Sequence, residues 1–380
     1  MEEAYSSTKT QIPLDFLSYS GYLRAVRKLE NSSSPGYPYN REATTIGKWL
    51  GMDEFGNVNT VQLHRLWFDV QTLINNENPV LYHSVFLKEE PHSTRKVELG
   101  RWRIIIAFPL HLQVLWHMVF DCVLEKEIEQ CYMIPSQYGL KLNGGGWRDY
   151  LRAWKSKNFN AGLDKSAWDH TVVWDKLEDE LELTTRLVDG EMKSAWVSIA
   201  RNLYNWSFNH CLLLLSDGTV VEQTVPGYMK SGCVRTISIN SKLQILDHVI
   251  VCLEIDEDPF PLPVSVGDDT LQCERHAFVE EYINRGTIVK EVSLGIEFVG
   301  LEFTTQGPQP LYLEKHLFTC AYVEPTPNNE MITAWLDAMM RYYAYSPYRV
   351  IWRFIAQEIG VLDRLRSDEY YLAWYEYDLI

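Results

Sequence analysis

The sequence holds seven cysteines (122, 131, 211, 233, 252, 273, 320) but no C-x-x-C pair. That spacing and the odd number exclude a dense disulfide framework and read as reduced, intracellular thiols. Ten histidines are scattered without H-E-x-x-H or Cys/His zinc spacing. G-x-S-x-G and G-x-x-x-x-G-K-[ST] are missing as well, so hydrolase-elbow and P-loop chemistry have no support. The glycine-rich LNGGGWRDY (142–150) reads as a turn before a helix. There is no internal repeat and no low-complexity tract. Long clean apolar runs are lacking: IIIAFPLHLQVLWHMVF (104–120) carries Pro109, two histidines and Gln113, and reads as a buried helix rather than a membrane span. The polar, acidic start MEEAYSSTKTQIPLDF does not read as a signal peptide.

Positive charge is also short, at 35 Lys and Arg against 51 Asp and Glu, for a formal net charge of −16. Spread evenly, that charge would repel nucleic acid. It is not spread evenly. Acid gathers in DKLEDELELTTRLVDGE (175–191), which reads as the solvated face of a helix, and base gathers in 88–103 and 141–157. A channel lined by the two basic stretches is compatible with an acidic exterior. What the chain has in quantity is material for a core: 46% hydrophobic and 13% aromatic residues, enough to oppose extended disorder over 380 residues.

Local patterns predict the following elements. NSSSPGYPYN (31–40) is a turn-rich loop, and 111–130 is a helix with apolar residues at helical spacing. NFNAGLDKSAWDHTV (158–172) is a short strand running into a helix, with Asp164 near the strand's end. In 228–253 a Ser-Gly turn leads into a long helix with Ser231 as its cap. PLPVSVGDDTLQC (261–273) is a strand, a Gly-Asp-Asp turn and a second strand. From about 327 onward the chain reads as a helical lobe.

Adjacent aspartates in a turn are common, so Asp268 and Asp269 alone point to no chemistry. A two-metal phosphoryl or nucleotidyl transfer site needs hard oxygen ligands on rigid elements, and these need not be neighbours in sequence. Asp164 on a strand end and Asp268 and Asp269 on a hairpin tip satisfy that need if their strands pair. Along the chain LDKSAWD gives D-x-x-x-x-D (Asp164, Asp169). SGCVRTISIN then gives S-G-x-x-x-T-x-x-x-N (Ser231, Gly232, Thr236, Asn240), and VGDDT follows.

In this order and spacing the three runs resemble palm motifs A, B and C of the RNA-dependent RNA polymerases of positive-strand RNA viruses, most closely the sobemovirus-like (solemovirus) polymerases. FLKEEPHSTRKVELGRWRIII (86–106) is similar to the family's basic fingers motif, SSPGYP (33–38) to its template-guiding loop, and FVGLEF (298–303) to its primer-supporting hairpin. The resemblance covers roughly residues 31 to 315. It implies an α+β right-hand fold with an antiparallel palm sheet flanked by helices. Fingers would occupy 1–157, motif A of the palm 158–170, an insertion 171–225, palm motifs B to E 226–305, and a small helical thumb 306–380.

The resemblance also implies roles. Asp164 and Asp268 would hold two Mg²⁺ ions, which Mn²⁺ could replace, with Asp269 supporting them. Asp169, Ser231, Thr236 and Asn240 would form the ribose pocket, because reading a 2′-hydroxyl takes partners that donate and accept. Lys88, Lys96, Arg101 and Arg103 would face the triphosphate. Lys290 would be a general acid toward pyrophosphate. Ser34, Pro35 and Gly36 would guide the template. The implied activity is RNA-directed RNA polymerase, a nucleotidyltransferase acting on an RNA template and NTPs. A protein primer and other viral replication proteins are further partners, and the setting is the host-cell cytoplasm, at membranes only through those partners. The readings set against it are a reverse transcriptase, which Asp169 and Asn240 disfavour, and a non-catalytic RNA-binding scaffold, which the intact aspartates disfavour. The short thumb implies an open product channel or a helper protein.

Overall fold

The computed structural model describes residues 1–76, 78–90, 92 and 94–377. After an N-terminal helical region, β1 (Tyr82–Leu87) and β2 (Ile104–Ala107) form an antiparallel pair, and α1 (Leu110–Glu129) follows at once. The apolar run 104–120 is therefore part strand and part helix, not the single buried helix expected. Pro109 makes the break: its fixed φ and missing N–H suit the N-cap it occupies, at φ −60° and ψ 144°.

Next come β3 (Ala161–Lys165), α2 (Trp174–Leu187), β4 (Leu212–Leu214), β5 (Val220–Glu222) and α3 (Thr236–Glu254). The hairpin β6 (Val264–Val266) and β7 (Asp269–Gln272) leads to β8 (Val289–Leu294) and a meander of β9 (Glu297–Phe298), β10 (Leu301–Thr304) and β11 (Gly307–Pro310). Beyond the meander comes α4 (Leu313–Cys320), and from about 327 the chain is helical as its aromatic and aliphatic spacing predicts: α5 (Glu330–Tyr342), α6 (Arg349–Glu358) and α7 (Asp368–Glu376).

The architecture is α+β. Its central sheet has the order β8-β3-β7-β6 with every pair antiparallel. A second sheet, β2-β1-β4-β5, is mixed, since β1 and β4 run parallel. One large core joins the N-terminal helices to α1 around Trp49, Trp116, Phe120, Trp196 and Phe208. Another joins the helix Gly146–Ser156 and the meander to α5, α6 and α7 around Trp154, Phe298, Leu336, Tyr343 and Trp352. Among the described residues no helix is long and apolar enough to cross a membrane.

Helix α3 lies against β6 and α2 and is buried along most of its length. Protein covers nearly all of its circumference, with Ile237 and Leu253 the large apolar residues left exposed. Its buried polar residues, including Asn240, Ser241, Lys242 and Gln244, must therefore bond within the protein. The acids of 175–191 form the expected solvated face, with Asp175, Glu178, Asp179 and Glu182 exposed, but Glu180 is an exception to it. Lys176, Glu180 and Thr184, four residues apart on α2, turn inward and are buried. Glu180 Oε1 meets Arg235 Nη2 at 2.8 Å and Lys242 Nζ at 3.1 Å, and such pairing is what makes a buried carboxylate tolerable.

Candidate active site

The β6–β7 hairpin closes through Val266 opposite Asp269, leaving Gly267 and Asp268 as the two turn residues. Gly267 has φ +63°, the left-handed conformation that a two-residue hairpin asks of glycine. Strand β7 pairs with β3 so that Leu163 faces Thr270, and the next step along both strands brings Asp164 level with Asp269. The three aspartates thus come to one end of the sheet. Burial raises the Asp268 carboxyl above its usual range, and the nearby Asp164 charge adds to this. Asp269 is pushed up to about 6 by burial, then by Asp268 and Asp164, although its Oδ2 accepts from Val299 N at 2.6 Å. That bond joins it to the turn of the β9–β10 hairpin.

Lys290 lies at a register shift in β8, between Val289 and Glu291, and its ammonium pairs with Asp164. The contact with Asp164 raises the lysine above its ordinary value and keeps it charged.

Asp169 stands on a short helical turn, Trp168–Thr171, and accepts from Asn240 Nδ2 of α3 at 2.9 Å. Burial raises its carboxyl, the Asn240 bond opposes this, and Asp268 adds to the rise. Asn240 Oδ1 is buried and has no protein partner, so an acceptor remains beside the carboxylate. Ser231 is not the cap of α3, which begins five residues later behind Arg235. Its Oγ accepts instead from Ile106 N of β2 at 3.2 Å, and Gly232 N donates to Ile106 O at 3.0 Å. The hydroxyl of Thr236 faces the carbonyls of Lys230 and Cys233, each at 2.8 Å, so it closes the turn before α3.

A cavity of about 590 Å³ opens over this end of the sheet, with Asp164, Asp169, Ser231, Asp268, Lys96 and Arg103 in its lining. Thr236, Asn240, Lys88 and Arg101 are not among its lining residues, and neither is any residue of 141–157. The expected channel between two basic stretches is therefore served here by the first stretch alone. Lys88 Nζ and Arg103 Nη1 both hold Glu90, at 3.0 and 3.1 Å. Ser34, Pro35 and Gly36 are not among the residues that line this cavity. Gly36, at φ +64°, packs so closely that a Cβ would lie 2.3 Å from Phe108 O, and Gln113 Nε2 donates to Ser34 O at 3.4 Å. The next residue, Tyr37, borders a separate cavity of about 690 Å³ with Arg41, Tyr82 and Phe86.

Sequence reasoning missed Lys315. It lies on α4, lines the carboxylate cavity, and among the described residues has no carboxylate partner. Its neighbour Tyr312 borders a small cleft beside Asp164 and Asp269. Nothing in YLEKHLF distinguishes this lysine from any helix surface charge; only the packing of the meander brings it there.

The donor set suits a hard divalent cation: three carboxylates at one end of the sheet, of which Asp268 and Asp269 are made costly to ionise by burial and then by neighbouring charge, a cost that a cation would relieve. Among the described residues no three acidic, His or Cys side chains are closed around a common point, and Asp164 and Asp269 each hold another partner.

Residues 165–306 match a family model described as viral RNA-directed RNA-polymerase. The chain is 30% identical over 278 residues to the replicase polyprotein P2AB of Southern bean mosaic virus (isolate Bean/United States/Arkansas), covering 70% of this chain and 28% of that polyprotein. It is 31% identical over 229 residues to the RNA-directed RNA polymerase of Mushroom bacilliform virus (isolate Australia/AUS LF-1), covering 58% of this chain and 54% of that protein. It therefore spans less than two thirds of either relative. Among solved structures, the Sicinivirus 3Dpol RNA dependent RNA polymerase superposes with a TM-score of 0.76 at 15% identity, over 98% of this chain and 83% of that one.

Proposed function

We propose that the chain, which has the right-hand fold of a viral RNA-directed RNA polymerase, is one of these polymerases and copies a viral RNA template by nucleotidyl transfer from NTPs. One observation carries the reading: carboxylates (Asp164, Asp268), a ribose-reading pair reached through Asp169, and cations (Lys96, Arg103, Lys315) converge on one cavity. On this reading 1–157 are fingers, 158–170 and 226–305 palm, 171–225 the insertion between them, and 306–380 a small helical thumb. The chain would work in the host-cell cytoplasm with a protein primer and other viral replication proteins as partners, and through such partners at membrane-associated replication sites.

The reaction joins a primer 3′-oxygen to the α-phosphorus of an NTP as the bond to the β-phosphate bridging oxygen breaks and pyrophosphate leaves. Asp164 and Asp268, supported by Asp269, would hold Mg²⁺ or Mn²⁺, which supplies Lewis-acid stabilisation of phosphate charge and a more acidic 3′-hydroxyl. Lys96, Arg103 and Lys315 neutralise the triphosphate, and Arg103 must exchange Glu90 for phosphate to do so. Lys290, carried charged beside Asp164, has the proton that leaving pyrophosphate needs. The 2′-hydroxyl donates its one proton to the Asp169 carboxylate or to the spare Oδ1 of Asn240, and its oxygen accepts from the second hydrogen of Asn240 Nδ2.

Primer extension with matched rNTP and dNTP tests this reading. The wild type should prefer rNTP, and Asn240→Ala or Asp169→Ala should cut that preference by about 10- to 100-fold, the worth of one or two buried hydrogen bonds. A wild-type preference for dNTP would support the reverse transcriptase instead, and an unchanged ratio in both variants would remove these residues from ribose reading. Gly232→Ala gives an independent check. Its Cβ would lie 2.3 Å from Ile106 O, forcing the segment before α3 off β2. Incorporation should fall by about tenfold or more, since small displacements of positioning groups are costly. A wild-type rate would show that the contact with β2 does not align the pocket.

A further inference from the structure

We propose that Ser241 is a positioning residue that fixes the Gly267–Asp268 turn, and with it the carboxylate of Asp268, against helix α3. The proposal rests on the polymerase reading for its consequence but on hydrogen bonds for its substance.

Serine is a poorer helix residue than alanine, and Ser241 is fully buried in the middle of α3. Its Oγ donates to Ile237 O, one turn back, at 2.7 Å. This common back-bond uses the hydroxyl's one proton and leaves its lone pairs to accept. Gly267 N donates to that oxygen at 2.8 Å. The same residue's carbonyl accepts from Ser265 Oγ at 2.7 Å. One helical residue thus grips the hairpin twice, once on β6 and once at the turn.

On its far side the turn is held by Asp269, whose Oδ2 accepts from Val299 N, but among the described residues it has no other hydrogen bond on the Gly267 side. The β6–β7 ladder ends at Val266 and Asp269, so the Gly267 N–H finds no partner across the hairpin. Around Gly267 there is open space where a Cβ would be, with no atom within 4 Å, so packing does not fix its height. The bond to Ser241 is what ties the residue before Asp268 to the rigid interior. The residue before Ser241 is Asn240, which holds Asp169. Two consecutive residues of one buried helix therefore set the spacing between the Asp169 turn and the Asp268 turn. Alanine at 241 would favour the helix and abolish the contact; threonine would keep the oxygen.

The experiment uses the full chain as wild type, Ser241→Ala and Ser241→Thr, with two readouts. The first is hydrogen exchange of the segment 264–269, which needs neither metal nor activity. Ser241→Ala should exchange about tenfold faster there, with other segments of α3 and β7 unchanged. The second is steady-state primer extension. Ser241→Ala should lower kcat by about tenfold or more with KM for NTP and the rNTP:dNTP ratio unchanged, and should need more Mg²⁺ for half-maximal rate. Ser241→Thr should restore both readouts. A merely structural role would lower the apparent kcat only in proportion to the folded fraction and would leave the Mg²⁺ requirement unchanged, so kcat is taken per folded molecule. The proposal is overturned if exchange of 264–269 is unchanged, if kcat stays within twofold of wild type, or if ribose preference falls with it. Should Ser241→Ala fail to fold, Ser241→Cys, with its weak sulfur acceptor, takes its place under the same expectations. If the wild type makes no RNA, the polymerase reading fails, and the exchange result still decides whether Ser241 holds the turn.

Discussion

Replacing Asp268 by alanine is expected to lower templated nucleotide incorporation by about 10³-fold or more while leaving the fold at least as stable. A carboxylate that holds a catalytic cation supports several kcal/mol of transition-state stabilisation, and each 1.36 kcal/mol is tenfold in rate. The stability half follows from the direction of the Asp268 shift. Burial, then the Asp164 charge, raises its carboxyl in the folded state, so the ionised group at neutral pH opposes folding and its removal relieves that opposition. A variant that is dead and no less resistant to heat is the signature of a residue kept for chemistry. Asp269→Ala should behave differently. Its Oδ2 accepts from Val299 N, so the substitution also frees the β9–β10 turn, and lower stability should accompany the lost activity. Single-nucleotide incorporation read beside thermal unfolding separates the two. An Asp268→Ala protein that retains a tenth of wild-type rate would remove Asp268 from the centre of the mechanism.

Neutralising Glu180 is expected to destabilise the protein by about 3–5 kcal/mol, a large share of the roughly 5–15 kcal/mol that holds a protein folded. Glu180 and Glu127 face Arg235 and Lys242 in the fully buried space between α1, α2 and α3, two charges of each sign. Thr184 Oγ1 and the Tyr204 hydroxyl also donate to Glu180, and Ser238 Oγ donates to Glu127 at 2.6 Å. Glu180→Gln keeps the shape and removes one negative charge, leaving two buried cations to share Glu127. Urea unfolding should shift accordingly, and a midpoint equal to wild type would show that the cluster is not fully paired in solution.

The same group predicts a pH dependence. Burial alone would raise the Glu180 carboxyl, but attraction to Arg235, then Lys242, overrides it and lowers the pKa to about 2. A carboxyl lower in the folded than in the unfolded chain adds stability above its unfolded value, ordinarily 4.5. That contribution fades as pH falls from there toward 2. Wild type should therefore lose stability over that window more steeply than Glu180→Gln. Because Arg235 precedes α3 and Lys242 follows Ser241, the cluster also seats the helix that carries Asn240.

How far these features could be read in advance depended on the range of the forces behind them. The β6–β7 hairpin, β3 and α3 were legible because turn glycine, apolar alternation and helical spacing act over a few residues. The run 104–120 misled because an apolar stretch does not say whether strand or helix will use it, and Pro109 divided it. In the acidic stretch one residue misled for another reason: Glu180 looks like its exposed neighbours until Arg235 and Lys242, more than fifty residues away, are brought against it. Within the site, motif spacing marked Asp164, Asp169, Asn240 and Asp268. It could not show that Thr236 closes a backbone turn, that Arg103 and Lys88 share Glu90, or that Lys315 completes the cavity wall, since all three depend on tertiary neighbours.

The central claim is that this chain adds nucleotides under the direction of an RNA template. The most direct measurement supplies the purified protein with Mg²⁺, a primed homopolymeric RNA template and each labelled NTP in turn. The expected result is incorporation of the complementary nucleotide alone, stopped by chelation and absent in Asp164→Ala and Asp268→Ala. Incorporation that ignores the template, or that survives both substitutions, would contradict it.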